Sequence, residues 1–531
     1  MAVSATDLLP SPPSNKEKYA YFGRRHRWMP FYMFASFMGV ILALLKLSLK
    51  TETTHLLWIL VVLLFVYGYT GFRASAWGRR HDLWDHRTLV DQRPATERLP
   101  SVDVFLPSCG EPMEVLRNTY TWVARLAWEG ELTVYVLDDS ARPEVASLAT
   151  SFGFIYLTRP DRPRMKKAGN LAYGYAHSDG ALILILDADF VPRSDMLTEL
   201  VPYFDDARVG IAQSPQYFDL YEEFNWIQRS SGAVQQLFYR FIQTARDRVD
   251  GAICVGTNAL YRRAALDEIG GMPQISHSED VYTGVELMRA GYIVRYIPLV
   301  LAKGLSPDTF SGYTNMVYRW CTGSISLMVD ANFRHAPLRP AQRLCFWAGF
   351  IFYITSALSV IVGTLPGLLM AWCFPGDVRP TNVIPLLPSI IASIVVFPAM
   401  FGTLKFIELV RLNIVSGYCF LLSVWDFARN RTAAWVPTGA VKASPVERKV
   451  RHGLLWWGGL MELVMFAGIG RGIADYGIGR YWVMLLMAVV NFWAYLPLAL
   501  PGQGLHGAPV RRRARRPIPA TEPIPVVPAT G

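Results

Sequence analysis

The chain has 531 residues, 52% of them hydrophobic and only 18% charged, with 52 Lys+Arg against 42 Asp+Glu for a net charge of +10. Soluble domains carry about 25% charged residues, so some stretches here must be nearly charge-free, which excludes a disordered or fibrous protein and argues against a wholly soluble enzyme. In so apolar a chain the basic excess fits cytoplasmic loops beside anionic lipid rather than nucleic acid. The six cysteines lie far apart without a CxxC, so neither a disulfide framework nor a zinc cluster is expected, and a reducing compartment fits.

In chain order, residues 1–27 predict a cytoplasmic N-terminal tail, mobile over its Pro-, Ser- and Ala-rich first 20 residues. A spanning helix needs about 20 mostly apolar residues. Residues 28–45 and 56–72 carry no Asp, Glu, Lys or Arg, and predict a transmembrane hairpin over 28–75. The first apolar run is too long for a cleavable signal peptide. Residues 76–335 have ordinary soluble composition. The runs 344–376, 380–404, 453–470 (broken only by Glu462) and 481–501 then complete six spans, in a membrane domain over 336–505. Within it, Ile414–Phe427 is short for a span and predicts a helix lying in the interface. Residues 506–531 predict a mobile basic tail. Lys16, Lys18, Arg24, Arg25 and Arg27 precede the first span, Arg73, Arg79 and Arg80 follow the second, and Arg511–Arg516 follow the last. These place both termini and the middle block on the cytoplasmic side of a plasma (inner) membrane.

The middle block alternates short apolar runs with amphipathic ones. Strands are predicted at Val102–Leu106, Leu132–Leu137, Phe154–Leu157, Ala181–Leu186 and Gly210–Gln213, with helices at Glu114–Ala127, Pro143–Ser151 and Lys167–Ala176. Continuous Val/Ile/Leu strands between helices indicate an α/β fold with a parallel sheet covered on both faces. Ligands bind such sheets beyond the carboxyl ends of the strands.

There the chemistry collects. The first strand runs into Pro107-Ser108-Cys109-Gly110-Glu111-Pro112, the second into Asp138-Asp139 and the fourth into Asp187-Ala188-Asp189. Asp138-Asp139 alone reads equally well as a helix cap or solvated loop. Carboxylates from three strands in one crevice instead call for a divalent cation with oxygen ligands and a nucleotide diphosphate. Five cations between Arg159 and Lys167 suit an anionic ligand, with a solvated face as the plainer reading. Gly256-Thr257-Asn258 follows an apolar stretch. In His277-Ser278-Glu279-Asp280 the dipole favours Glu279 as a cap, while Asp280 is placed to project as a base. Arg319-Trp320 offers a diphosphate ligand beside a flat apolar face for a sugar.

This ordered set resembles the processive, membrane-integrated family 2 glycosyltransferases, cellulose synthase and its relatives. The matching pieces are Asp138-Asp139, Lys167-Ala168-Gly169-Asn170, Asp187-Ala188-Asp189, Ser214-Pro215-Gln216, Ser278-Glu279-Asp280 and Arg319-Trp320. The resemblance implies a GT-A-like, Rossmann-type cytoplasmic domain joined to an α-helical transmembrane domain. By position, Ser108 and Glu111 would bracket the uracil, Asp138 would lie on the nucleoside and Lys167 near the phosphates. Asp187 would contact the nucleotide and, with Asp189, the Mg²⁺ or Mn²⁺. Asp280 would be the general base, Arg319 would stabilise the departing diphosphate, and Glu279 and Trp320 would hold the acceptor sugar. Met316 stands where the family has Gln, and Trp435-Val436-Pro437-Thr438-Gly439-Ala440, within a linking region 411–452, only partly matches the family's gating loop, keeping Trp435 and Thr438.

The expected reaction is a single inverting displacement in which a UDP-sugar and a growing polysaccharide yield a β-linked polymer, threaded through the bilayer. UDP-glucose is the implied donor, with 1,4, 1,3 or mixed linkage open. A chitin- or hyaluronan-like synthase using UDP-N-acetylglucosamine, or a non-processive glycolipid-forming transferase, are the alternatives. A transporter or scaffold would show decayed acidic motifs, and these are intact. The tail after residue 501 is too short for a cyclic-nucleotide-sensing barrel, so accessory subunits join the expected partners. Most aromatics of the later spans fit an interfacial belt, and Glu462 is expected to face a channel or a neighbouring helix.

Overall fold

The structure, a computed structural model, describes residues 9–22, 27–78, 80–92, 99–275, 277–431 and 444–500. Trp435 and Thr438, the rest of the gating-loop match and the basic C-terminal tail lie outside the described residues.

Among the described residues ten strands build the middle block: β1 (Val102–Ser108), β2 (Leu132–Asp138), β3 (Ile155–Leu157), β4 (Leu182–Ile185), β5 (Val191–Pro192), β6 (Val209–Gln213), β7 (Tyr217–Phe218), β8 (Ala259–Arg262), β9 (Ile293–Tyr296) and β10 (Ala302–Gly304). Seven form one sheet in the order β3-β2-β1-β4-β8-β6-β9, and β5-β10-β7 form a small second sheet. Side chains alternate faces along a strand. Phe105, Ile183 and Ile185 therefore enter one apolar core, and Val104, Leu106, Leu182 and Leu184 the other.

The sheet is mixed rather than wholly parallel. β8 runs antiparallel to both β4 and β6, with Ala259 opposite Ile185 and Gln213. That reversal has a use: the loop entering β8, Gly256-Thr257-Asn258, arrives at the carboxyl ends of its neighbours. In β1 and β2, Ser108 stands opposite Asp138, while Phe105 opposite Ile185 sets Asp187 just beyond the end of β4. The expected helix from Lys167 begins at Lys166, and the one from Glu114 spans Met113–Val123.

Among the described residues seven helices, not six, are long and apolar enough to cross a membrane. The first two, Met29–Ser48 and Leu57–Ser75, pair as the expected hairpin. Tyr32 donates to the Pro388 carbonyl at 2.9 Å and Ser389 to that of Ser36 at 3.2 Å, which fastens the hairpin to a later span. The additional helix is Phe406–Ala428, whose core is the segment expected to be a short interfacial helix. Lys405, Glu408 and Arg411 separate this helix's apolar stretch from the preceding charge-free run, but Glu408 is buried on Arg229, a partner 179 residues away. Half of this helix's apolar window is buried, more than in any of the other six. Glu462 faces a neighbouring helix, accepting a hydrogen bond from Asn491. Tyr481 and Tyr495 are buried between helices and donate to the carbonyls of Pro375 and Leu454, so they do not line a passage.

Residues 9–22 are not a mobile tail. Lys18 is buried and bonds Asp195 at 2.7 Å and Glu199. Glu17 pairs with Lys303 at 2.7 Å, and the Lys18 carbonyl accepts from Val300 N–H at 3.0 Å. Tyr21 is 1% exposed in the core beneath the sheet. Composition hid this because the partners of these residues lie far along the chain. The two covalent ends of the middle block meet at one ionic node. There Asp250 binds Arg80 from the first hairpin's exit, Arg295 of β9 at 3.3 Å and Arg339 at the next span's entry at 2.6 Å.

Candidate active site

Asp138, at the end of β2, is fully buried and closes its own turn. Its carboxylate accepts from the Ser140 amide at 2.9 Å, the Arg142 amide at 3.0 Å and the Tyr156 hydroxyl at 3.1 Å. Ser108 is buried beside it. Arg142 donates to the Glu111 carbonyl at 2.7 Å, tying the β1 and β2 ends together. Asp139 is locked by Arg159 in a bidentate pair, both bonds 2.7 Å. Arg159 is 1% exposed, so this member of the basic run is structural.

Beyond β4 the carboxylates are crowded instead. Burial first, then the neighbouring Asp187 and Glu111, push the Asp189 carboxyl up to about 7, against backbone hydrogen bonds from its own amide and from Leu305. Glu111 is likewise raised by burial and by Asp187, although its carboxylate accepts the Cys109 amide at 2.6 Å. Lys167 answers part of this charge: it bonds Asp187 and donates to the Gly256 carbonyl at 2.9 Å. Burial opposes its charge, but Asp187, Glu279 and Asp280 together hold the ammonium protonated. Asp187 itself is anchored through its amide to Thr257 Oγ1 at 2.9 Å.

Hard oxygen donors that repel one another suit a divalent cation, which removes the penalty that raises Asp189. Among the described residues no group of three or more His, Cys, Asp or Glu is arranged to hold a metal alone. Asp187 and Asp189 fit an ion whose remaining ligands are non-protein oxygens.

Asp280 sits in the first turn of the helix Glu279–Arg289, accepting the Val281 amide at 2.9 Å. It packs on Gly256, where a β-carbon would lie 2.8 Å from Asp280 Oδ2. Gly256 also has φ +74°, so glycine is required there twice over. Burial first, then repulsion by Glu279, raises the Asp280 carboxyl well above the ordinary carboxylate range, while Lys167 acts the other way. Arg319, on the helix Phe310–Val329, is deeply set and feels Glu279, Asp187 and Asp280 together. Trp320 is 37% exposed beside it. Met316 is buried in an apolar cluster of that helix.

The structure thus brings together Glu111, Asp187, Asp189, Lys167, Glu279, Asp280 and Arg319. It sets Ser108 and Asp138 deeper, behind Arg142 and Tyr156. Thr257 and Arg142 are additions; only the position of Thr257 after an apolar run hinted at it.

Comparison with known proteins agrees. The model of the family described as glycosyl transferase family group 2 matches residues 182–402. A cellulose synthase 1 of Komagataeibacter xylinus is 28% identical over 473 residues, covering 84% of this chain and 30% of that protein. A UDP-forming cellulose synthase catalytic subunit of Xanthomonas axonopodis pv. citri is 30% identical over 286 residues, covering 52% and 39%. The corresponding subunit of Pseudomonas fluorescens is 29% identical over 353 residues, covering 61% and 47%. The chain spans less than half the length of each of these relatives. Among solved structures, a mannosyltransferase from Pyrobaculum calidifontis in complex with GDP-Man and Mn²⁺ is 16% identical, covers 69% of this chain and 98% of its own, and has a TM-score of 0.48. The acidic strand ends and the sequence relatives point the same way: the chain is similar to the cellulose synthase-like family 2 glycosyltransferases.

Proposed function

We propose that the chain is a processive, inverting transferase that builds a β-linked glucan from UDP-glucose and passes it across the bilayer, with the site and both termini on the cytoplasmic face of the inner membrane. The carrying observation is Asp280: a buried carboxylate of raised proton affinity, in one crevice with Asp187, Lys167 and Arg319. A general base works best with a pKa near the operating pH and contributes about 10²–10⁴-fold. Asp280 takes the proton of an acceptor hydroxyl as that oxygen attacks the anomeric carbon. The bond to the diphosphate breaks on the opposite face, so an α-linked donor gives a β-linkage. Arg319 and Lys167 receive the charge that grows on the leaving oxygens. Bound Mg²⁺ or Mn²⁺, held by Asp189 with Asp187, would neutralise diphosphate charge. Ser108, Glu111 and Asp138 shape the nucleoside end, and Trp320 presents an apolar face to the acceptor ring. The relatives named as UDP-forming cellulose synthases support UDP and glucose as the donor's parts. Accessory subunits belong to the same reading.

The test incubates membranes with UDP-glucose or UDP-N-acetylglucosamine and Mg²⁺ or Mn²⁺, then digests the product with linkage-specific glycanases. Polymer from UDP-glucose alone is expected; polymer only from UDP-N-acetylglucosamine, or a lipid-linked monosaccharide, overturns the assignment. Asp280→Asn is expected to abolish polymer while UDP still binds, and an undiminished yield removes Asp280 from the mechanism.

A further inference from the structure

Residues 251–258 form neither helix nor strand, yet they run largely buried into β8 and carry Gly256 and Thr257 to the crevice. Buried peptide groups outside a ladder need other partners. Two fully buried glutamines provide them. Gln213, at the end of β6, donates through Nε2 to the Ile253 carbonyl and accepts the Val255 amide at 3.1 Å. Gln243 donates to the same Ile253 carbonyl and accepts the Ile253 amide at 3.3 Å. A side-chain amide carries the donor and acceptor of a peptide edge, so each glutamine stands in for a neighbouring strand. Farther along, Asn258 donates to the Pro215 carbonyl at 3.0 Å and its carbonyl receives the Ser214 amide at 2.9 Å. Thr257 is thereby fastened separately.

The loop also seats on the helix that bears Asp280. Side chains two apart on an extended segment share a face, as do residues four apart on a helix. Cys254 meets Gly284, where a β-carbon would lie 3.3 Å from Cys254 Cβ. Gly256 meets Asp280, where the corresponding gap to Oδ2 is 2.8 Å. One oxygen of Asp280 is thus held by the Val281 amide while the other lies on Gly256. Gln243 is aimed at the loop by an irregularity of its own backbone. Phe238–Gln243 is a π-helical turn, after which Thr244 donates to the Tyr239 carbonyl at 3.0 Å. Such turns are rare and concentrate at functional sites. The same turn packs against Leu57–Ser75, the second helix of the first hairpin.

We propose that Gln213 and Gln243 are positioning residues for the transfer step: they hold residues 253–256 on the helix Glu279–Arg289, and Gly256 then fixes the direction of the Asp280 carboxylate. The inference rests on the functional reading above and adds to it the pair of side chains that aims the base. Without the two amides, the Ile253 and Val255 peptide groups turn to other partners and Gly256 withdraws from Asp280. Lys167 keeps its bond to Asp187, and Asn258 keeps Thr257 in place, so the donor's contacts are spared.

The experiment measures steady-state polymer synthesis from UDP-glucose, and equilibrium binding of UDP with Mg²⁺ present, in the detergent-solubilised full chain. Gln213→Met and Gln243→Met keep the length of the side chain and remove its amide. Each is expected to lower kcat by between about tenfold and 10²-fold, the size of a misplaced reacting group. KM for UDP-glucose and the Kd of UDP are expected to stay within about twofold, because ground-state binding is untouched. Gln243→Glu, which keeps an oxygen for the Ile253 amide, is expected to recover part of the loss, and it carries the same test if Gln243→Met does not fold. An unchanged kcat in the folded variants, or a kcat that falls in step with UDP affinity, overturns the proposal. A wild-type chain that makes no polymer and binds no UDP would refute the functional reading itself, whereas an active wild type matched by both methionine variants would refute only the positioning.

Discussion

Asp138-Asp139 and Asp187-Asp189 stand at the ends of two strands of one sheet, and they live in opposite conditions. The first pair is satisfied within the fold: Asp139 by the Arg159 fork and Asp138 by two amides and a tyrosine hydroxyl. The second pair is left in conflict, with Asp189 crowded by Asp187 and Glu111 and, among the described residues, Lys167 alone as a cationic hydrogen-bond partner for Asp187. A fold settles the acidic groups it uses for shape and leaves unsettled those it uses for chemistry.

That contrast is open to attack by substitution. Asp189→Asn should lower turnover by about 10³-fold, as loss of charge stabilisation in a transition state does. It should leave the melting temperature unchanged or higher, because it removes a repulsion. A fall in melting temperature would move Asp189 into the structural class. Arg159→Met should do the reverse in kind, destabilising the fold by about 3 kcal/mol because Asp139 stays buried without its partner. Thermal unfolding in detergent measures this, and an unaltered midpoint would dissolve the contrast.

The smallest effect is one of pH. The neutral form of Asp280 is favoured in the folded state, so its proton is lost at a higher pH than that of an ordinary carboxylate. The base must be unprotonated to act, so the rate should fall as pH drops through a limb nearer neutrality than the usual carboxylate range. For Asp189 in chelator, the folded chain binds a proton that the unfolded chain releases, between about 7 and the ordinary carboxylate range. Stability should therefore rise as pH falls through that window, and added Mg²⁺ should flatten the rise. A rate profile whose acid limb lies at ordinary carboxylate values would take Asp280 out of its buried setting.

Much of the site was legible because strand-end carboxylates advertise themselves locally. Asp187-Ala188-Asp189 follows an unbroken apolar run, and Arg319-Trp320 lies just before the membrane segments resume. What escaped was settled by partners distant in sequence. Nothing near Arg159 announces Asp139 as its counter-ion, and a charge run reads as a solvated face until the fold buries one member. The antiparallel β8 was missed because Ala259–Arg262 is short and its pairing with β4 and β6 is non-local.

The docking of residues 9–22 and the shared node at Asp250 bear on any attempt to prepare the soluble portion by itself. A fragment cut at the apparent borders, 76 and 335, would keep Asp195, Glu199 and Lys303 while discarding Lys18 and Glu17. It would also leave a hole where Tyr21 sits and remove the Arg339 side chain from Asp250. Such a truncation would expose unmatched charge and apolar surface at once, the usual recipe for precipitation. The sheet-bearing block and the apolar helices are, in this chain, a single object to be expressed whole.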